Sequence, residues 1–247
     1  MPHGDCPGPP PRRSSRRPVL PRAACWLVLV CCVALSGCTD VIGGAPRAAT
    51  GGPAHAGPIF PSQLEDLLTP SGTLTVVPNS PLTEVDMQSA LFVGADPADC
   101  HGAVAFGRYP IFPTNYTGRE ARTQQDGQAE QHQLLEVSAS YPSNFDAAGF
   151  LDSLRKTVSG CQHPVIAWGD NGRRMTVNPT PLVESPPEVA QWMTNLAGQK
   201  WVCEFAVIAK ANVISEIVTC SPDRSVDIGA LIIKRLKKIN ELLNSRS

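Results

Sequence analysis

"WVCEFAVIAKANVISEIVTC", residues 201–220, contains two runs rich in β-branched and apolar residues on either side of Ala211-Asn212. A two-residue loop at that point sets Lys210 opposite Val213 and brings Cys203 directly opposite Cys220. Counting back from the loop, the cysteine pair falls at a non-hydrogen-bonded position, where Cα atoms approach to ~4.5 Å. That spacing suits a disulfide. One strand face then carries Cys203, Phe205, Val207, Ile214, Val218 and Cys220, with Glu216 as its sole charge. A slip of one residue separates the cysteines and turns this face outward, so the register is strongly specified.

The other cysteines follow from the leader. The run Ala23–Leu35 is short and apolar, it is preceded by Arg12, Arg13, Arg16, Arg17 and Arg22, and it closes in Leu35-Ser36-Gly37-Cys38. A basic stretch followed by a short apolar one describes a secretory signal, too short to cross a ~30 Å hydrocarbon core. The closing tetrapeptide resembles the lipobox of bacterial lipoproteins. The resemblance implies cleavage before Cys38, thioether linkage of its thiol to diacylglycerol and acylation (palmitate) of the new amino group. More than one chain matters, because a single acyl chain binds a membrane only marginally. Residues 1–37 are therefore expected to be signal peptide and 38–58 a Gly/Ala/Pro-rich tether, leaving 59–247 as one domain. Ser15-Arg16-Arg17-Pro18-Val19-Leu20 also fits a twin-arginine export signal loosely, and an ordinary basic leader accounts for it as well.

Of nine cysteines, Cys6, Cys25, Cys31 and Cys32 leave with the leader and Cys38 is used by lipid. Cys100, Cys161, Cys203 and Cys220 remain, an even set suited to an oxidising compartment. Among the three connectivities open to four cysteines, the hairpin register selects Cys203–Cys220 with Cys100–Cys161. The second bridge closes about sixty residues and is worth ~4 kcal/mol in the chain-entropy model. Removing five Arg and one Asp from 21 basic and 22 acidic residues leaves 16 against 21, a formal −5. Such a balance gives no reason to expect a nucleic acid partner.

Other elements are legible by period. Ser62 and Glu65 fit a capping box for a short helix carrying Leu64, Leu67 and Leu68. Gln133–Tyr141 alternates as a strand. Ser143 is expected to cap a helix whose stripe is Ala147, Leu151, Leu154 and Val158, ended by Gly160. Asn171-Gly172 predicts a type I′ hairpin between Val165–Gly169 and Arg174–Asn178. A last helix runs from Asp227 to Leu243, with Lys234, Arg235, Lys237 and Lys238 read as a solvated basic face or a contact for anionic lipid.

Chemistry is sparse. No HxH, HExxH, CxxC, P-loop, dinucleotide fingerprint or G-x-S-x-G occurs, so no metal, cofactor or catalytic residue is expected. Ser153-Leu154-Arg155-Lys156 matches S-x-x-K but lies mid-helix without its companion motifs.

"ADCHGAVAFG", the helix ending "LRKTVSGC", the "WVC" strand and "KANVISEIVTC" stand in the order found in the PknH-like extracellular sensor domain of mycobacteria, which this chain resembles over roughly residues 60–240. The resemblance implies an α+β fold in which helices pack on an antiparallel sheet, with two disulfides and a polar cleft for an unidentified ligand. It also implies an extracytoplasmic location, either within a transmembrane kinase or, as the lipobox suggests here, on a lipoprotein held at the plasma membrane. By the same likeness residues 188–196, helical by local propensity, are expected to be a strand. Candidate ligand residues are Glu216, a charge on an apolar face, and Trp168, Arg173 and Arg174 around the second hairpin. Arg173, Arg174 or Lys210 would supply the charge opposite Glu216. The function expected is a non-catalytic binding or sensor module for a cell-wall or small-molecule ligand. An envelope scaffold that docks another protein through a flat apolar patch is the alternative.

Overall fold

The computed structural model describes residues 57–86, 92–127 and 131–245, so Cys38 and the stretches expected to be signal peptide and most of the tether lie outside the described residues. The strand pair read from residues 201–220 forms the centre of the sheet. β9 (Val202–Lys210) and β10 (Val213–Ser221) run antiparallel with Lys210 opposite Val213 and Cys203 opposite Cys220. Ala211 takes a φ of +51° to close the loop. The Cys203–Cys220 disulfide spans a Cα separation of 4.1 Å, and Cys100–Cys161 one of 5.5 Å.

Around this pair the remaining strands add outward. They are β1 (Thr75–Val77), β2 (Ser80–Glu84), β3 (Gly94–Asp96), β4 (Gly118–Asp126), β5 (Gln133–Ser140), β6 (Val165–Trp168), β7 (Arg174–Pro179) and β8 (Val189–Leu196). The sheet order is β1-β2-β4-β5-β10-β9-β8-β7-β6-β3, and every pairing is antiparallel. Helix α1 (Ala147–Gly160) covers one face and α2 (Ile228–Asn244) the other. Because both faces are covered, β5, β9 and β10 are buried on both sides and read as nearly continuous apolar runs. The α1 face packs Leu151, Leu154 and Val158 over Val137, Trp192, Phe205 and Val207. The α2 face packs Leu231, Ile232 and Ile239 with Leu134, Ala206, Ile208 and Ile217.

Residues 189–196 are strand, as expected from the resemblance. Trp192 lies opposite Phe205, their rings stack at 5.1 Å, and the indole N–H donates to the Ala103 carbonyl at 2.9 Å. Burying that pair outweighs a local helical preference worth a few tenths of a kcal/mol per residue.

Several expectations need correction. The Ser62 segment is two 3-10 turns, Pro61–Gln63 and Glu65–Leu67, not one α-helix. Gln63 Oε1 accepts from the Phe60 N–H at 2.9 Å. Three residues per turn align Leu64 with Leu67, and both are buried. Asp146 rather than Ser143 caps α1, its Oδ1 accepting from Gly149 N–H at 2.9 Å. Residues 169–173 do not make a type I′ turn, since that requires positive φ at both central residues and only Gly172, at +73°, has it. The Gly172 N–H donates to the Gly169 carbonyl and the Gly169 N–H to the Arg173 carbonyl, giving a three-residue loop with glycine in the left-handed position.

Arg235 departs most from expectation. It is not on a solvated basic face but fully buried against the sheet, paired with Glu136 and hydrogen-bonded to Ser215. The second Glu136 oxygen accepts from Thr69 N–H at 2.9 Å, and the Thr69 hydroxyl donates to the first at 2.8 Å. Burial lowers the Arg235 pKa and the Glu136 carboxylate opposes that shift. Lys234 and Lys237 are exposed as expected.

Candidate functional site

Glu216 is wholly buried on the α1 face, between Val207 of β9 and Val137 of β5. Its Oε2 accepts the Gly107 N–H at 2.8 Å, while Oε1 has no partner. Burial pushes its pKa from 4.5 up to about 8. The Gly107 hydrogen bond and the charge of Arg119 oppose the rise without cancelling it. The group is therefore a neutral carboxylic acid at neutral pH.

Gly107 is required where it stands. Its φ is +63°, and an added Cβ would lie 3.0 Å from Val137 Cγ2 and 3.1 Å from an Arg119 nitrogen. Its carbonyl accepts from Arg119 Nη2 at 3.0 Å, so a single residue, through its N–H on one side and its carbonyl on the other, links the buried acid to a guanidinium on β4. Arg119 shares the α1 face of β4 because it pairs with Ala139.

Outside Gly107 lies a recess of about 670 Å³, lined by His101, Phe106, Arg108, Tyr109, Phe112, Thr114, Tyr116 and Arg119 among others. This lies within the range of small-molecule sites. Tyr109 is 69% and Tyr116 44% exposed, unusual for large rings. His101 carries a buried Nε2 without a partner, and burial lowers its pKa below 6.5. The Cys100–Cys161 bridge ties the 3-10 turn Ala98–Ala103, which carries His101, to the end of α1.

The second hairpin stands beside this recess rather than in it. The Val93 N–H donates to the Trp168 carbonyl, and Arg108 Nη2 lies 3.3 Å from Asp170 Oδ2. Arg174 sits over the Trp168 ring at 5.5 Å, which occupies it in a cation–π contact. Gly94 is fixed by that same ring, since a Cβ there would meet it at 2.3 Å. Trp168, Arg173 and Arg174 thus flank the site. Lys210 pairs with Glu188 at 3.2 Å, so the cation facing Glu216 is Arg119, which the sequence reading did not single out.

Two other clusters belong to the scaffold. A recess of about 650 Å³ runs between α2 and the first 3-10 turns, where Glu65, Asp66, Glu84 and Glu241 offset Arg122, Lys234, Lys237 and Lys238. His132 is clasped by Asp126 at 2.7 Å and Asp223 at 3.2 Å, which joins the β4–β5 end to the lead-in of α2. Among the described residues no group of three or more His, Cys, Asp or Glu gathers as metal ligands, and no helix is long and apolar enough to cross a membrane.

The family model of the PknH-like extracellular domain matches residues 59–237. The chain belongs to this family. Serine/threonine-protein kinase PknH of Mycobacterium bovis is 22% identical over 172 residues, which cover 69% of this chain and 28% of that protein. PknH of Mycobacterium tuberculosis is 21% identical over the same length, covering 69% and 27%. The chain therefore spans little more than a quarter of these relatives. The crystal structure of the extracellular domain of PknH from Mycobacterium tuberculosis superposes with a TM-score of 0.65 at 17% identity, covering 75% of this chain and 99% of that one. Its likeness shows the fold of a PknH-like extracellular domain, namely an antiparallel sheet with packed helices and, in this chain, two disulfides.

Proposed function

We propose that this chain is a lipid-anchored extracytoplasmic binding or sensor module, non-catalytic, which presents the recess around Gly107 and Arg119 to a cell-envelope ligand. The observation that carries the reading is the recess itself. Exposed aromatic rings, two arginines and His101 line a volume suited to a small molecule, above a buried acid. Membership of an extracellular domain family supports the location. The lipobox at Leu35–Cys38 supports the anchor, and about twenty tether residues of Gly/Ala/Pro character give the domain a reach of ~25 Å from Cys38.

The test is thermal denaturation of the full chain in detergent against a panel of wall fragments, sugars and lipids. Binding raises the stability by RT ln(1 + [L]/Kd), ~2.7 kcal/mol at a hundredfold excess over Kd, and the midpoint rises with it. At least one class is expected to stabilise wild type, and Tyr116→Ala by a smaller amount at the same concentration. No shift with any class at millimolar concentration would overturn the reading and favour a protein-docking scaffold. Intact mass of protein from its host tests the anchor, with a diacylglyceryl-modified chain beginning at Cys38 as the expected result.

A further inference from the structure

We propose that the recess takes an acidic sugar, a ring-bearing polyol with one carboxylate or phosphate. This rests on the binding-module reading and assigns its ligand class. The first argument is charge. The side chains that line the recess include the cations Arg108 and Arg119 and no Asp or Glu, although acids outnumber bases in the whole chain by 22 to 21. The recess beside α2 has no such excess, since its acids nearly balance its bases. Among the described residues the ion pair of Arg108 is with Asp170, half-exposed at 3.3 Å. Such pairs contribute little, so a ligand anion can compete for the guanidinium.

Arg119 is held in place without being neutralised. One of its nitrogens donates to the Gly107 carbonyl, and the carboxyl behind that peptide is uncharged at neutral pH. A planar guanidinium with remaining donors suits a carboxylate or phosphate. The groups facing Glu216 are the Gly107 N–H, Arg119 from β4, and the side chains of Val137 on β5 and Val207 on β9. Arg119 is the titratable group among them.

The second argument is the orphan at His101. Burial favours the neutral imidazole, and its buried Nε2 has no hydrogen-bond partner. A buried ring nitrogen without a partner is costly, and a small rotation of the ring toward the recess would let a ligand hydroxyl satisfy it. The third argument is the pair of exposed rings. Tyr109 and Tyr116 offer apolar faces for the C–H side of a sugar ring and hydroxyls for its rim. A fatty acid supplies the charge without the hydroxyl array, and a neutral sugar supplies the hydroxyls without the charge.

Calorimetric titration of the full chain in detergent with glucuronate, glucose 6-phosphate, glucose and inorganic phosphate tests the assignment. At least one acidic sugar is expected to bind tenfold more tightly than both glucose and phosphate, and the two acidic sugars compared with each other distinguish carboxylate from phosphate. Arg108→Gln and Tyr116→Ala, both at exposed positions, are each expected to weaken that binding at least fivefold. Raising pH from 7 to 9 ionises Glu216 beside Arg119 and is expected to weaken binding several-fold in wild type but not in Glu216→Gln. Equal binding of glucose would overturn the ligand class and leave the binding-module reading standing. Acidic-sugar binding indifferent to both Arg108→Gln and Tyr116→Ala would overturn the site. Binding of none of the four would overturn the class, and the broader thermal panel would then decide the module reading.

Discussion

Replacing Glu216 by glutamine removes a proton linkage and leaves the shape of the side chain nearly unchanged. In the folded chain burial lifts this carboxyl from 4.5 to about 8. A group raised in this way contributes stability that is fully present below its unfolded value and is lost as pH rises through the folded one. With one pKa unit equal to 1.36 kcal/mol, wild type is expected to lose about 3–4 kcal/mol between pH 5 and pH 8 through this residue alone. Glutamine does not titrate, and its side-chain oxygen can still accept the Gly107 N–H. Urea unfolding of both proteins at pH 5, 6, 7 and 8 isolates the linkage, because every other titrating group cancels in the difference. The two are expected to be close at pH 5 and to diverge by about 1 kcal/mol per pH unit, with glutamine the more stable at pH 8. Parallel pH profiles would refute the reasoning, since they would mean that Glu216 is ionised or solvated in the folded state.

Other outcomes follow from the same framework. Removing one partner of the buried Glu136–Arg235 pair, as in Arg235→Met, is expected to cost about 3–5 kcal/mol in urea unfolding, and Glu136→Leu with Arg235→Met together much less than two single losses. Gly107→Ala forces a positive φ on a residue with a Cβ and crowds Arg119, so it is expected to destabilise by roughly 1–2 kcal/mol and to weaken ligand binding in calorimetry. Cys100→Ser with Cys161→Ser opens a loop between residues 61 apart in sequence and is expected to cost ~4 kcal/mol, read as a lowered denaturation midpoint under non-reducing conditions.

How far the fold could be read depended on whether local pattern and tertiary demand agreed. The central hairpin was legible because loop length, alternation and cysteine placement all point to one register, and β9 and β10 adopt it. The caps and turns were less so. Ser143, Asp146 and Asn171 are all of types able to bond nearby backbone, Asp146 and Asn171 do so, and sequence alone does not say which N–H is in reach. β8 was decided by Trp192 packing on Phe205, a contact that no local window contains.

In the site, Glu216 stood out as a charge in an apolar alternation. Arg119 did not, because β4 reads "GREARTQQD", a polar run whose strand character comes from pairing with β5. Gly107 gave no signal beyond being a glycine after Phe106. Arg235 was recoverable in principle. It lies four residues from both Leu231 and Ile239, on the apolar stripe of α2, where its charge called for a partner such as Glu136. Grouping it with neighbouring lysines by charge concealed that position.

Native mass spectrometry of the full-length chain, released gently from the membranes of its host, probes the recess under the conditions in which it works. Wild type is expected to carry a small molecule above the mass of its polypeptide, which on the proposed anchoring is acylated and begins at Cys38, and Tyr116→Ala is expected to carry markedly less. Wild type and variant both emerging as bare polypeptide would contradict the assignment of a ligand site to the space between Gly107, Arg119 and the two exposed tyrosines.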